Sequence, residues 1–118
     1  MYSNFTIIAK IESYERYSVA YVDPELTRYY LSLVPKYFCA NSQAYPAHVT
    51  IIRPFEKPNG YIHTAKNCII EYNNEIQFDG IYFYLNCWSK EISEIRIKSG
   101  LQEYRFNDCF HITIGNVK

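Results

Sequence analysis

Apolar residues alternate with polar ones over several stretches of the chain, and this two-residue period is typical of half-buried β-strands. In the first stretch, at 5–12, apolar residues recur at every second position from Phe5 onward and so share one face. Similar stretches bounded by turn residues predict six more strands, at 16–22, 47–53, 67–78, 81–88, 91–98 and 109–115. Asn73-Asn74 and Asp79-Gly80 mark turns or bulges beside them.

A helical spacing follows the second predicted strand. Asp23 suits the N-cap of a helix and Pro24 suits its first position. Apolar and aromatic residues then recur three or four positions apart until Pro35, which ends the helix. We predict loops at 36–46 and 54–65. The segment 100–106 fits either a short helix or a loop.

These elements predict an α+β fold with about seven strands and one helix. The length of 118 residues is sufficient for one domain, which we expect to span 1–118. The composition agrees, because 46 residues are β-branched or aromatic whereas Ala, Leu and Met together number 12.

The charges are balanced, with 12 basic and 12 acidic side chains. Proteins that bind long nucleic acids through bulk charge are usually basic, so we expect no such partner, although a few groups can still hold a small anion. The apolar runs are too short for a membrane span, and the N-terminal residues lack the basic segment of a secretory signal. We therefore expect a cytoplasmic protein without a membrane partner, in the host cytoplasm if its source is viral.

Four cysteines stand at 39, 68, 87 and 109, and no two of them form a CxxC unit. This spacing does not favour a zinc cluster. We expect reduced, mostly buried thiols, as is usual in the cytosol, and no cofactor.

Two of the predicted strands carry the same short motif. Ala47-His48-Val49-Thr50-Ile51 and Phe110-His111-Ile112-Thr113-Ile114 both read apolar, His, aliphatic, Thr, Ile. The chain has only three histidines and five threonines, so this duplication is unexpected by chance. Because residues two apart on a strand point to the same face, each histidine shares a polar face with its threonine.

Two imidazoles and two hydroxyls in one site suit a phosphodiester. A neutral imidazole can take a proton from a ribose hydroxyl or a water, and an imidazolium can protonate the leaving oxygen. Threonine hydroxyls can donate to the non-bridging oxygens. We therefore assign catalytic roles to His48, His111, Thr50 and Thr113, with no metal, and leave open which histidine is the base.

The paired motifs resemble the signature of the 2H phosphoesterase superfamily, whose fold is also called LigT-like. The resemblance implies a compact bilobed fold with antiparallel sheets, in which the two His-x-Thr strands face a central cleft. It also implies metal-independent cleavage of phosphodiesters such as 2′,3′-cyclic phosphates, RNA ends and small nucleotides. Members often have a helix in each lobe, whereas the pattern here predicts only one.

Within that superfamily the chain is similar to the phage anti-CBASS phosphodiesterases, which destroy cyclic di- and trinucleotide immune signals. The run 17–24, the aromatic helix after it and the run 47–53 carry this second resemblance. It implies a small cyclic nucleotide or oligonucleotide as the substrate.

Aromatic and basic residues near the motifs are candidates for substrate binding. Bases could stack on aromatic side chains near strand ends or beside a motif, at Tyr14, Tyr17, Tyr45 and Trp88. Arg53 could bind phosphate, although counting along its strand directs it away from His48. His63 lies in a predicted loop without matching flanks, and we expect it on the surface.

Three other functions fit parts of the sequence. The same fold could sequester a nucleotide tightly without cleaving it, which would have little requirement for both histidines. It could act as a 2′,3′-cyclic phosphodiesterase on RNA ends, against which the zero net charge counts mildly. A domain that only binds another protein has no need of two His-x-Thr motifs. The sequence does not indicate an oligomeric state.

Overall fold

Seven strands and two helices make up the fold in the computed structural model, which describes residues 4–43, 45–104 and 108–117. The strands are β1 (Asn4–Ser13), β2 (Ser18–Tyr21), β3 (His48–Ile52), β4 (Asn67–Asn73), β5 (Gln77–Phe78), β6 (Tyr82–Trp88) and β7 (Phe110–Asn116). The helices are α1 (Pro24–Leu33) and α2 (Lys90–Lys98), and a single 3-10 turn covers Lys36–Phe38. Neither α1 nor α2 is long and apolar enough to cross a membrane.

All the strands belong to one antiparallel sheet. Its order is β3-β2-β1-β4-β6-β5, and β7 also pairs with β6. The β4–β6 junction consists of two residue pairs, Glu71 with Trp88 and Tyr72 with Cys87, so it joins a four-stranded part to a three-stranded part. The sheet is nearly closed, because β3 and β7 contact each other although they share no ladder in the described residues.

The predicted alternation along the strands sets the position of the core. On β1, Ala9 and Ile11 are buried while Ile8 is 75 % exposed. On the two motif strands, the aliphatic residues are buried as well: Val49, Ile51, Ile112 and Ile114. The histidines and threonines between them lie on the opposite face and are half-buried. The α+β class and the polar faces of both motif strands are therefore as predicted.

The first helix forms as predicted and packs against β7. Asp23 caps it by accepting a hydrogen bond of 2.9 Å from the Glu25 amide, and Val34 is its C-cap. Gly115 lies where α1 and the Asn41 backbone both approach β7: a Cβ atom there would lie 2.8 Å from the carbonyl oxygen of Asn41, which cannot move aside as the Leu31 side chain can. Helix α1 thereby supports the strand that carries the second motif.

The predicted strand at 91–98 is wrong, because this segment is helix α2. Its isoleucines are β-branched and favour a strand, but Ile92 and Ile95 are buried at helical spacing. Ser89 caps the helix by accepting from the Ile92 amide at 3.3 Å, and Gly100 follows its end with a φ of +78°. Capping and tertiary packing outweigh the β preference of the isoleucines.

Two other predicted boundaries change. The predicted strand at 67–78 divides after Asn73 into β4 and β5, at the turn that the asparagine pair marks. The number of strands is therefore seven, as expected, because this division replaces the predicted strand that is helix α2. From Gly100 to Tyr104 the chain is irregular, and the rest of the undecided segment lies outside the described residues.

All four cysteines are free thiols. Cys68, Cys87 and Cys109 are buried as expected, whereas Cys39 is exposed. Burial raises the pKa of the Cys87 thiol well above its usual range. Burial also raises the pKa of the Cys68 and Cys109 thiols, so the three buried thiols stay protonated at neutral pH and pack as small apolar groups.

Candidate active site

Both motifs open into one small cavity, which we name the His–Thr cavity. Its volume is about 110 Å³. Its lining consists of His48, Thr50, Arg53, Cys109, Phe110, His111 and Thr113. The structure therefore brings together all four of the predicted catalytic residues, together with one arginine and no carboxylate.

On the β3 side, a backbone carbonyl orients the first histidine. His48 Nδ1 lies 2.7 Å from the carbonyl oxygen of Pro46. A carbonyl oxygen can only accept, so Nδ1 carries the hydrogen and Nε2 of the neutral ring keeps its lone pair. Tyr21 is the cross-strand neighbour of His48, with its ring edge-on at 6.5 Å between centroids.

On the β7 side, the second histidine has a different environment. His111 Nε2 lies 3.7 Å from Cys109 Sγ, and the Cys109 thiol donates to Asn86 Oδ1 at 3.4 Å. With its hydrogen directed to Asn86, the sulfur presents lone pairs to the imidazole, which favours a hydrogen on Nε2. The ring of Tyr84 lies 4.5 Å from the His111 ring. The two histidines thus favour opposite tautomers.

The electrostatics of the cavity act mainly on His111. Burial lowers the pKa of His111, and the positive charge of Arg53 lowers it further, while Asp79 opposes this more weakly. An anion bound beside Arg53 would offset that positive charge. The pKa of His111 should therefore rise when a phosphate occupies the cavity.

Arg53 lies at the cavity, contrary to the direction expected from alternation. β3 ends at Ile52, so the strand period no longer fixes the direction of the next side chain. The backbone amide of Arg53 donates to Glu56 Oε1 at 2.9 Å. This bond closes the turn that follows the strand.

A buried ion pair holds that turn against helix α2. Arg96 is 2 % exposed, and its two terminal nitrogens donate to the Glu56 carboxylate at 2.9 and 2.7 Å. Arg96 also donates to the carbonyl oxygens of Ile51 and Gln102, at 2.7 and 2.8 Å. Helix α2, absent from the sequence prediction, therefore fixes the end of β3 and the backbone of Arg53.

A larger groove continues from the cavity along β2 and β3, and we name it the tyrosine groove. It has a volume of about 410 Å³ and shares His48, Thr50 and Arg53 with the His–Thr cavity. Tyr17, Tyr21 and Tyr45 contribute aromatic surface to it. Two of the predicted stacking residues, Tyr17 and Tyr45, therefore lie beside the motif histidine of β3.

The other predicted binding residues lie farther from the motifs. The Tyr14 ring stacks on Tyr17 at 4.7 Å, and the hydrogen bond between its hydroxyl and that of Tyr21, 2.8 Å long, raises the pKa of Tyr14 to about 12. Trp88 lines neither the His–Thr cavity nor the tyrosine groove, and its indole donates to the Asp108 carbonyl at 3.1 Å. The structure thus places Trp88 outside both named spaces, and its stacking role stays a prediction.

His63 lies in the loop after β3, as expected, and is only partly at the surface. The side chain is half-buried, and its Nε2 lies 2.9 Å from Ser13 Oγ. A loop histidine without matching flanks gave no sign of this partner, which lies 50 residues away along the chain.

Sequence reasoning missed several neighbours of the motif histidines. Cys109 stands two residues before His111, so the same period that paired His111 with Thr113 could have included it. Tyr21, Tyr84 and Asn86 reach the site through strand register, which no local pattern specifies.

The site combines two differently hydrogen-bonded imidazoles, two hydroxyls and one guanidinium around a space of anion size. Such a set can bind an oxyanion and move a proton on each side of it. In the described part of the chain, no three His, Cys, Asp or Glu side chains converge as metal ligands would. Comparisons with family models, curated proteins and solved structures find no match to this chain.

Proposed function

We propose that the protein is a metal-independent phosphodiesterase of the 2H type, acting on small cyclic nucleotides or oligonucleotides. One observation carries this proposal: both His-x-Thr motifs and Arg53 line the same cavity of about 110 Å³. In this proposal the two parts of the sheet, joined at the short β4–β6 junction, correspond to the two lobes of the 2H fold. The strands β3 and β7 then face the cleft between those lobes.

The scissile phosphate binds in the His–Thr cavity. The Arg53 guanidinium supplies the positive charge that a phosphodiester requires. The hydroxyls of Thr50 and Thr113 donate to its non-bridging oxygens, one from each strand. Binding from two sides holds the phosphorus in line between the two histidines.

His48 is the general base and His111 the general acid. His48 Nε2 takes the proton of the ribose 2′-hydroxyl while that oxygen forms a bond to phosphorus. As the bond from phosphorus to the 5′ oxygen breaks, the His111 imidazolium gives that oxygen a proton. The products are a 2′,3′-cyclic phosphate and a 5′-hydroxyl, and proton exchange with water restores both rings.

Binding of the substrate favours the protonated form of His111. Burial and, next, Arg53 lower the pKa of His111 in the free protein, whereas a phosphate anion bound beside the ring raises it by attracting the imidazolium. The lowered pKa therefore does not exclude an acid role, because the substrate supplies the compensating charge.

The tyrosine groove supports a nucleotide as the substrate. Aromatic side chains beside a phosphate site stack well on nucleobases. The zero net charge favours a short substrate over a long polyanion. We propose cyclic di- and trinucleotide signals as the first class to test, as in the phage anti-CBASS enzymes, in a reducing cytoplasm that suits four free thiols.

A cleavage panel in EDTA tests this function. Wild type and His48→Gln are incubated with 3′,3′- and 2′,3′-linked cyclic dinucleotides, a cyclic trinucleotide, a 2′,3′-cyclic mononucleotide and a short RNA with a cyclic end. The proposal predicts cleavage by wild type and none by the variant, with a cyclic oligonucleotide preferred. Preference for the RNA would favour the RNA-end function, and binding without any cleavage would favour sequestration.

A further inference from the structure

A third cavity lies beyond the tyrosine groove, and we name it the distal cavity. It has a volume of about 630 Å³ and lies between the β1–β2 turn and the loop after β3. Tyr14 and Tyr17 line it from the turn, while Tyr61, Ile62 and His63 line it from the loop.

The three spaces adjoin one another in order through shared lining residues, and we name this series the track. The His–Thr cavity and the tyrosine groove share His48 and Thr50, whereas His111 lines the cavity alone. The tyrosine groove and the distal cavity share Tyr17 and Pro54. The track therefore leaves the phosphate site on the side of His48 and passes Tyr17 to reach the distal cavity.

The volumes along the track match different parts of a ligand. Sites for small organic ligands generally measure about 300–1,000 Å³. The His–Thr cavity, at about 110 Å³, is below this range and suits a phosphate group alone. The groove, at about 410 Å³, and the distal cavity, at about 630 Å³, each have room for a bulky group.

The lining of the distal cavity suits an uncharged aromatic group. The rings of Tyr14 and Tyr17 stack with an angle of 24° between their planes, and both stay partly exposed to the cavity. Its Glu and Arg residues are Glu15, Arg16 and Glu56, of which Glu56 is neutralised by its ion pair, and His63 is bound to Ser13. The remaining charges cancel, which favours a nucleobase over a second phosphate.

We infer that the distal cavity is a subsite for a second nucleoside of the substrate. This inference rests on the proposed function and narrows it. Because the base His48 borders the groove, the nucleoside that carries the attacking 2′-hydroxyl lies in the groove, and its 5′ neighbour lies in the distal cavity. The leaving group departs on the side of His111. In a cyclic dinucleotide the 5′ neighbour is also the leaving nucleoside, so the subsite favours a cyclic trinucleotide or a linear oligonucleotide, in which the two are different nucleosides. A single nucleoside phosphate uses only the first two spaces.

Two substrates with the same reacting bond test the subsite. The first is uridine 3′-(4-nitrophenyl phosphate), and the second carries an additional deoxyadenosine monophosphate unit on its 5′ oxygen, which introduces no other 2′-hydroxyl. Wild type should show kcat/KM roughly tenfold or more higher for the longer substrate, as one stacked base would give. Tyr61→Ala should abolish this preference and change kcat/KM of the short substrate by less than about twofold.

Ile62→Ala provides a second distal variant, because Ile62 lines the distal cavity alone. Tyr37→Ala is the matched control, because Tyr37 is 80 % exposed and lines none of the three spaces. Equal kcat/KM for the two substrates in wild type would overturn the inference. So would distal variants that slow both substrates equally while the circular dichroism spectrum shows them folded.

Failure of the proposed function would look different, since wild type would then cleave neither substrate. Binding of 2′-deoxy analogues of the two ligands, followed by tyrosine fluorescence, then decides the subsite separately. Selective weakening of the longer analogue by Tyr61→Ala supports the subsite, and equal weakening of both analogues overturns it.

Discussion

His48 Nδ1 lies 2.7 Å from the carbonyl oxygen of Pro46, and this contact gives His48 a different hydrogen-bonding arrangement from His111. It leaves Nε2 of His48 free to accept a proton, whereas the Cys109 sulfur beside His111 favours a hydrogen on Nε2 of that ring. The two neutral rings therefore favour different tautomers, and in the proposed mechanism His48 is the base and His111, once protonated, is the acid.

This division predicts different responses to the leaving group. On an ordinary dinucleotide bond, His48→Ala and His111→Ala should each lower kcat by roughly 10²–10⁴-fold. With a 4-nitrophenolate leaving group, which departs without a proton, His111→Ala should recover most of the rate while His48→Ala should not. Recovery by His48→Ala instead would show that the roles are reversed.

Arg53 should control the protonation of His111. Replacing Arg53 by Gln removes a positive charge beside the imidazole, so the imidazolium becomes less unfavourable and the pKa of His111 rises. An NMR titration of the ring protons measures this shift. Arg28→Gln, on the exposed face of α1, is the matched control and should leave the pKa of His111 unchanged. A fall or no change with Arg53→Gln would contradict the electrostatic account.

The threonine hydroxyls should contribute through hydrogen bonds to the phosphate. Thr50→Val and Thr113→Val keep the side-chain shape and should each lower kcat/KM roughly 10- to 100-fold, since hydrogen bonds to charged groups are worth about 1.5–3 kcal/mol. Serine at either position retains the hydroxyl and should retain most of the activity. Thr27→Val, on helix α1, is the control. Equal activity of the valine and serine variants would exclude the hydroxyl role.

The buried pair of Arg96 and Glu56 should be essential for stability. Arg96→Met leaves the Glu56 carboxylate buried without its charge partner and should cost about 3–5 kcal/mol in urea unfolding. Arg28→Met breaks an exposed pair with Glu25 and should cost about 1 kcal/mol or less. A similar loss of unfolding free energy in the two variants would show that breaking the buried Arg96 pair costs no more than breaking an exposed one.

The same pair gives stability a defined pH dependence. Burial tends to raise the pKa of Glu56, but the Arg96 guanidinium and the Arg53 amide outweigh it, so that pKa is lowered in the folded state. Its stabilising contribution is complete above the unfolded-state pKa and is lost as the pH falls through the folded-state value. As the pH is lowered, the free energy of unfolding should therefore fall less steeply in Glu56→Gln than in wild type, as urea unfolding at several pH values would measure.

The motif strands could be predicted because their pattern is local. Alternate residues of 47–51 and 110–114 face the core. Because the aliphatic residues must be buried, the histidines and threonines between them face the opposite side of the sheet. Helix α2 could not be predicted by the same logic, since isoleucines on a helix face resemble those of a strand until Ser89 is recognised as a cap.

The binding surfaces depended on features that sequence periodicity does not encode. Arg53 lies just past the end of β3, where a turn held by Glu56 determines its direction. Tyr21 reaches His48 through the β2–β3 register, which a bulge between Ser18 and Val19 shifts. The tyrosine groove and the distal cavity therefore could not be predicted from the sequence pattern alone.

Phosphorus NMR of an unlabelled cyclic dinucleotide in EDTA tests the central claim most directly. With wild type, the diester resonance should give way to that of a 2′,3′-cyclic phosphate, and with His48→Gln or His111→Gln it should persist. An unchanged diester with wild type, or its consumption at the same rate by both variants, would contradict the account.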